Sequence, residues 1–540
     1  MAAKRKNWPE TTKLRDEIAS ASGAIEDVQV SLYNAIHGVG GSQVPYADAD
    51  YYGEITHPSS SLIELMAQVA VRLGASEEKS LNARGVWRLD QGMGGGKSHG
   101  LIGMYHLATN TAGLAGSDIG SQVMAQATKI AGKDQVAPDL NDPHTVVLCC
   151  DNMTPGRGDK SLDGPATTLG ERFLWRLFDA DHGRWDEYRQ DTGNKAMLGE
   201  AIQSVGRPVL ILIDEIMDYI RAATSEHPVG DKQEQDLVGM DMAFLKAILD
   251  QAKKIPNCVL VMVMIASDKD NIVLNERGRD CRTELDDLLI RNGRTATVTE
   301  AKEFAEIIRR RLFETVPAAD KIAALADTWH DQMGGRWRKD VFDRSGWANK
   351  REFKAKTERS YPFHPALIDL AEKEWSLTTG FQRVRSTIQV FAASVFALQQ
   401  RAEQGNWVPE LIGPGDLPLS SHDVREALLN SGLISDTRTV ASYREIAAGE
   451  VVADDDESGT ARKLDLERSG HTYANANPRA AERAATALFV YSIGPRPQGR
   501  SGAAEAEVKA ATFVPDASYG SGDAEVVVAE LRDEIGRAHV

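Results

Sequence analysis

Two short stretches of this chain carry residue types that together could bind and cleave a phosphoanhydride. The first is Gln91-Gly92-Met93-Gly94-Gly95-Gly96-Lys97-Ser98. Glycine accepts φ > 0, so a loop holding Gly92, Gly94, Gly95 and Gly96 can turn its backbone N–H groups inward around phosphate oxygens. Lys97 is then placed to reach the β- and γ-phosphates of ATP, and the Ser98 hydroxyl to ligate Mg²⁺. The second stretch is Asp214-Glu215, which closes the apolar run 208–213. Asp214 would hold Mg²⁺ through its water shell, and Glu215 would orient and polarise the attacking water. One position departs from the phosphate-loop pattern G-x-x-x-x-G-K-S/T: Gln91 stands where the pattern has its first glycine.

Such groups need elements to hold them. Gly85-Val86-Trp87 leads into a strand ending near Asp90, and a helix is expected over about 97–107, its positive dipole end facing the anion. Residues 208–213 are continuously apolar, as a strand buried on both faces of a parallel sheet requires. Residues 144–150 and 257–265 read the same way, and 295–299 form a short β-like run. Some ATPases place an extra strand between the phosphate loop and the Asp-Glu strand. The interval from Lys97 to Asp214 (214 − 97 = 117 residues) leaves room for one at 144–150, and for inserted helices, one of them over about 169–178. In those ATPases a polar residue at the end of the strand after the acid pair contacts the γ-phosphate or the lytic water. Ser267 is the first candidate and Asp268 the second, although Ser267 equally reads as the cap of the next helix. Arg291 and Arg294 close a helical stretch just before 295–299. Their position resembles the arginine finger of AAA+ ATPases, which completes a neighbouring subunit's site; both arginines also suit the C-terminal end of a helix dipole.

Composition bounds the class. With 540 residues the chain exceeds a single core, and a net charge of −17 argues against a protein coated in nucleic acid while leaving room for a local basic surface. No apolar run approaches the roughly 18 residues of a membrane span. The basic start Lys4-Arg5-Lys6 lacks an apolar core behind it, and the four cysteines lack metal-ligand spacing, so a cytoplasmic protein with free thiols is expected. The expected organisation is a helical region over 1–83, a P-loop ATPase core over 84–299, a helical lid over 300–402 and a mixed C-terminal region over 403–540. A helix is expected over 62–73, and a disordered acidic loop at Asp454-Asp455-Asp456-Glu457.

Motifs scattered over most of the chain resemble one family. They are Gly92-Met93-Gly94-Gly95-Gly96-Lys97-Ser98-His99, Ile55-Thr56-His57-Pro58-Ser59, Thr168-Leu169-Gly170-Glu171 with Leu174-Trp175-Arg176, Tyr361-Pro362-Phe363-His364-Pro365, and Gly380-Phe381-Gln382-Arg383-Val384-Arg385-Ser386. The combination is similar to the prokaryotic domain-of-unknown-function family 499. The resemblance implies an AAA+ ATPase of the origin-recognition type: a parallel-sheet core with a helical lid, acting beside DNA methyltransferases and helicases in phage-defence gene clusters. It implies a homo-oligomer or a complex with a partner ATPase or methyltransferase, and it makes Arg383 or Arg385 the lid arginine that senses nucleotide. His99 and His364 read as structural. Between residues 336 and 359 nine basic residues face four acidic ones, with Trp337, Phe342, Trp347 and Phe353 interleaved; this is the candidate DNA contact, though an exposed lid loop has the same composition. Residues 534–540 match what a sequencing-library adapter encodes in this frame, so a truncated chain is expected and these residues are given no role.

Overall fold

The computed structural model describes residues 7–19, 30–37, 45–89, 95–133, 135–225, 232–264, 274–342, 349–378, 380–496 and 502–538. Among them are seven strands: β1 (Lys13–Leu14), β2 (Val86–Leu89), β3 (His144–Cys149), β4 (Val209–Asp214), β5 (Cys258–Val263), β6 (Arg294–Ala296) and β7 (Phe313–Thr315). The chain divides into two compact units, residues 30–300 and residues 1–29 with 301–540.

The unit of residues 30–300 is an α/β fold around a five-stranded parallel sheet of order β3-β4-β5-β2-β6. Its helices include α1 (Ser60–Gly74), α2 (Lys97–Thr109), α3 (Leu169–Leu177), α4 (Ile216–Ser225), α5 (Lys232–Lys254) and α6 (Glu276–Asn292). Alternate residues of a strand point to opposite faces, so a strand covered on both sides must be apolar throughout. Accordingly Ile211, Ile213, Leu260 and Met262 pack with α3, α4, α5 and α6, while Leu210, Leu212, Val259 and Val261 pack with α1 and α2. The strand between the loop strand β2 and the acid strand β4 is β5. Residues 144–150, expected as a strand in the interval between Lys97 and Asp214, form β3, which lies on the outer side of β4. Length and apolarity are alike in the two runs, and only long-range pairing separates them.

Local chemistry sets the helix starts. Ser59 caps α1 by accepting from the Leu62 N–H at 3.2 Å. Thr168 and Glu171 form a capping box on α3, Glu171 N–H to Thr168 Oγ1 at 3.1 Å and Thr168 N–H to Glu171 Oε2 at 3.2 Å, worth about 1 kcal/mol. The Thr168-to-Glu171 motif is thus a helix start. On α1, the fully buried Arg72 guanidinium donates to the carbonyls of Ser80, Ala83, Ala252, Lys253, Ile255 and Cys258. It thereby ties the entrances of β2 and β5 together. All four cysteines are buried free thiols.

In the other unit β1 pairs antiparallel with β7. Its helices include α7 (Phe304–Leu312), α8 (Lys350–Ser360), α9 (Pro365–Lys373), α10 (Arg383–Glu403) and α11 (Ala480–Ser492). Three expectations change here. The described residues of 403–540 form helices and turns with no strand among them, so that region is not mixed. The acidic loop is ordered: Asp455 accepts from the N–H groups of Glu457 and Ser458, Arg401 and Arg479 hold Asp456, and Arg425 pairs with Asp454. Among the described residues, the aromatics of 336–359 do not form a stacking surface. Trp337, Phe342 and Phe353 are buried in the core, and Trp347 lies outside the described residues. Their interleaving with basic residues is the pattern of half-buried helices. Lys350 pairs with Asp331 at 2.7 Å, Lys354 with Asp327 at 2.9 Å and Lys356 with Asp369 at 3.1 Å, so acids of neighbouring segments offset the local positive charge.

Among the described residues no helix is long and apolar enough to cross a membrane.

Candidate functional site

The carboxyl ends of the parallel strands gather the chemistry. Beyond β2, residues 90–94 lie outside the described set and with them Gln91, Gly92 and Gly94; Gly95 and Gly96 lead into α2, which starts at Lys97. Gly96 has φ +82°, a left-handed conformation that a Cβ would strain. A Cβ there would also stand 3.3 Å from Thr299 Cγ2. One turn on, a Cβ at Gly100 would meet Val298 Cγ2 at 2.9 Å, so the segment after β6 closes on α2 only because glycine is there. Thr299 Oγ1 donates to the Gly95 carbonyl at 3.3 Å, and Ser59 Oγ donates to the Val298 carbonyl at 2.8 Å. Thr56 Oγ1 hydrogen-bonds His99 Nε2 at 2.9 Å, and the His99 ring stacks on Tyr52. The 55–59 motif therefore clasps the first turn of α2, and His99 is structural, as expected. Lys97 is buried and Ser98 half-buried in that turn.

β4 delivers Asp214 and then Glu215, which has φ +51° and accepts from the Asp218 N–H at 3.0 Å to start α4. A non-glycine residue in the left-handed region costs of order 1–2 kcal/mol, and such strain collects at functional positions. Asp214 is only 4% exposed, and its Oδ1 has no hydrogen-bond partner among the described residues. Burial first, then the charges of Glu215 and Asp151, push its carboxyl up to about 7, against the opposing pull of Lys97. A buried Asp214 with two further carboxylates near it, against the charge of Lys97, suits a hard divalent cation, and the spare Oδ1 is an oxygen ligand of the right kind. No three His, Cys, Asp or Glu side chains among the described residues are arranged to hold a metal directly.

Lys97, Ser98, Asp214 and Glu215 thus converge at one edge. Ser267 and Asp268, beyond β5, lie outside the described residues. Arg291, in the last turn of α6, is exposed, with Asp287 at 3.8 Å. Gly293 ends that helix, so Arg294 opens β6 rather than closing α6, and its guanidinium lies over the Trp87 ring. Arg383 and Arg385 belong to the other unit. There Arg383 pairs with Glu372 at 3.0 Å and lies over Phe304, and Arg385 donates to Gln382 at 3.3 Å. His364 caps α9 by accepting from the Ala366 N–H, and burial holds its imidazole down at about 3, as a structural histidine requires. The motif reading passed over one acid of the site, Asp151, just beyond β3. An apolar run ending in Asp, the signal used for Asp214, is present there too.

A parallel α/β sheet with a lysine at a helix start and an acid pair at a strand end is the class these observations define. Within it, two family models match consecutive parts of the chain: the DUF499 N-terminal domain over residues 11–293 and the DUF499 second domain over residues 299–474. The first spans more than half of the 540 residues, and the chain belongs to the DUF499 family. No curated protein and no solved structure matches it.

Proposed function

We propose that this protein binds ATP with Mg²⁺ at the loop between β2 and α2 and hydrolyses it, as a P-loop ATPase of the AAA+ type. The observation that carries the reading is the convergence of Lys97, Asp214 and Glu215 at the carboxyl ends of β2 and β4, with β5 interposed. Lys97 neutralises the β/γ-phosphates, and the start of α2 adds backbone N–H groups and its dipole. Ser98 and Asp214 hold Mg²⁺, which when bound offsets charge on the phosphates. Glu215 orients the lytic water and accepts its proton. Ser267 is the candidate polar contact beyond β5, Arg291 and Arg294 the candidates to complete a neighbouring copy's site, and Arg383 or Arg385 the candidate nucleotide-sensing arginine. A cytoplasmic role in a DNA-associated, phage-defence or restriction-like complex, as a homo-oligomer or with an ATPase or methyltransferase partner, is supported by the family resemblance of the motifs.

Gln91 favours a second reading, a nucleotide-switched scaffold that binds ATP with little or no turnover, because a side chain replaces the first loop glycine. Steady-state ATPase measurements with and without DNA separate the two. We expect turnover, and a fall of roughly 10²–10⁴-fold in Glu215→Gln with ATP binding retained. Near-wild-type turnover in that variant would mean that another group positions the water.

A further inference from the structure

Asp151 sits in the 3-10 turn Cys150–Asn152 that directly follows β3. Cys149 is in register with Asp214 across the parallel pair β3–β4, so the chain leaves β3 alongside the acid pair. The turn packs against α4 and β4. Among the described residues, the charges of Glu215, Asp151 and Lys97 are felt at the Asp214 carboxyl, and Asp218 on α4 acts in turn on Asp151. Negative charge therefore outweighs the single lysine around an Asp214 whose Oδ1 is buried without a hydrogen-bond partner among the described residues. Asp151 differs from Asp214 in being exposed, although packing around the turn still pushes its carboxyl up.

We infer that Asp151 is a positioning acid of the cation site: it accepts hydrogen bonds from the water shell of the divalent cation that Asp214 holds, and so sets how tightly that cation is retained with ATP. The inference rests on the ATP–Mg²⁺ reading above. Three considerations lead to it. Asp151 lies in the turn after β3, alongside the acid pair rather than within it. Mg²⁺ sheds its waters reluctantly, and each retained water has protons to donate. A carboxylate at the end of the adjacent strand, exposed beside the buried Asp214, can accept them. The role differs from that of Glu215, which faces the attacking water rather than the cation's shell.

The test is calorimetric titration of a non-hydrolysable ATP analogue into the full chain, over a series of Mg²⁺ concentrations and in EDTA, for wild type, Asp151→Asn and Asp151→Glu. In Asp151→Asn the Mg²⁺ concentration giving half of the full tightening should rise by roughly 10-fold or more, the usual cost of losing an outer-shell partner. In EDTA the same variant should bind the analogue at least as tightly as wild type, because a negative charge near the phosphates has gone. Asp151→Glu should recover part of the Mg²⁺ dependence. A merely structural residue would weaken binding alike in both conditions, and that outcome overturns the inference, as does an unchanged Mg²⁺ dependence in Asp151→Asn. Wild type that fails to bind the analogue with Mg²⁺ present refutes the ATP reading itself, a result distinguishable from the other two.

Discussion

Two acidic turns in this molecule look alike as strings and are built in opposite ways. At Asp454-Asp455-Asp456-Glu457 the charges are met: Arg425 holds Asp454, backbone N–H groups and Ser458 hold Asp455, and Arg401 and Arg479 hold Asp456. At Asp214-Glu215 one buried carboxylate oxygen goes without a hydrogen bond among the described residues, the next residue is in a left-handed conformation, and neighbouring acids repel. The first turn is finished by the protein itself. The second stores cost that a cationic ligand would relieve, which is the expected mark of a binding site rather than of a fold element.

The contrast has a sign that mutation and pH can read. Loss of hydration pushes the Asp456 carboxyl up, but the hydrogen bond from Arg479 and the charge of Arg401 outweigh it and hold the group below its usual range. Its contribution to stability is therefore present above the ordinary carboxylate pKa and is lost as pH falls through the lowered value. Asp214 is shifted upward, to about 7. The folded state keeps a proton that the unfolded state has given up, so the stability held by Asp214 declines as pH rises from about 4 to about 7 and is gone above that.

The largest expected effect is at Asp214. In EDTA at pH 8, Asp214→Asn should stabilise the protein by roughly 1–4 kcal/mol, and the gain should shrink as pH falls from 7 towards 4. Denaturant melts across pH would show it, and a destabilised variant at pH 8 would remove the claim that this acid is held at a cost. Asp456→Asn should move the other way, losing about 1–3 kcal/mol at neutral pH by the same melts, because Arg401 and Arg479 lose their charged acceptor. A neutral result there would erase the contrast between the turns. The smallest effect is at Glu215. Replacing it with glycine should raise stability by up to about 1 kcal/mol, relief of the left-handed backbone being partly offset by a floppier unfolded chain. The same variant should lose turnover, and a loss of stability would mean that the φ +51° conformation is not strained.

What could be read from sequence follows from how local each cause is. The apolar runs of β2 to β5, Lys97 after its glycines and the acids at the end of β4 are set by contiguous residues, and they stand where the pattern puts them. The sheet order is not local. Nothing in residues 144–150 or 257–265 says which run lies beside β2. Partners on other elements were likewise hidden: the carbonyls of Ala252, Lys253, Ile255 and Cys258 around Arg72 come from far along the chain, and the arginines that hold Asp456 and the carboxylates that offset the lysines of α8 come from neighbouring elements rather than from contiguous residues. The aromatics between those lysines and arginines looked like a base-stacking surface because half-buried helices and nucleic-acid faces share that composition, and burial alone separates them.

The central claim is that Lys97 and the acid pair form an ATP–Mg²⁺ site, and nucleotide titration tests it most directly. Calorimetry of ATP analogue with Mg²⁺ into wild type and Lys97→Ala should show saturable binding in the first and severely weakened binding in the second, since the charge that neutralises the β/γ-phosphates is gone. Equal affinity in the two proteins, or no binding by wild type, would contradict it.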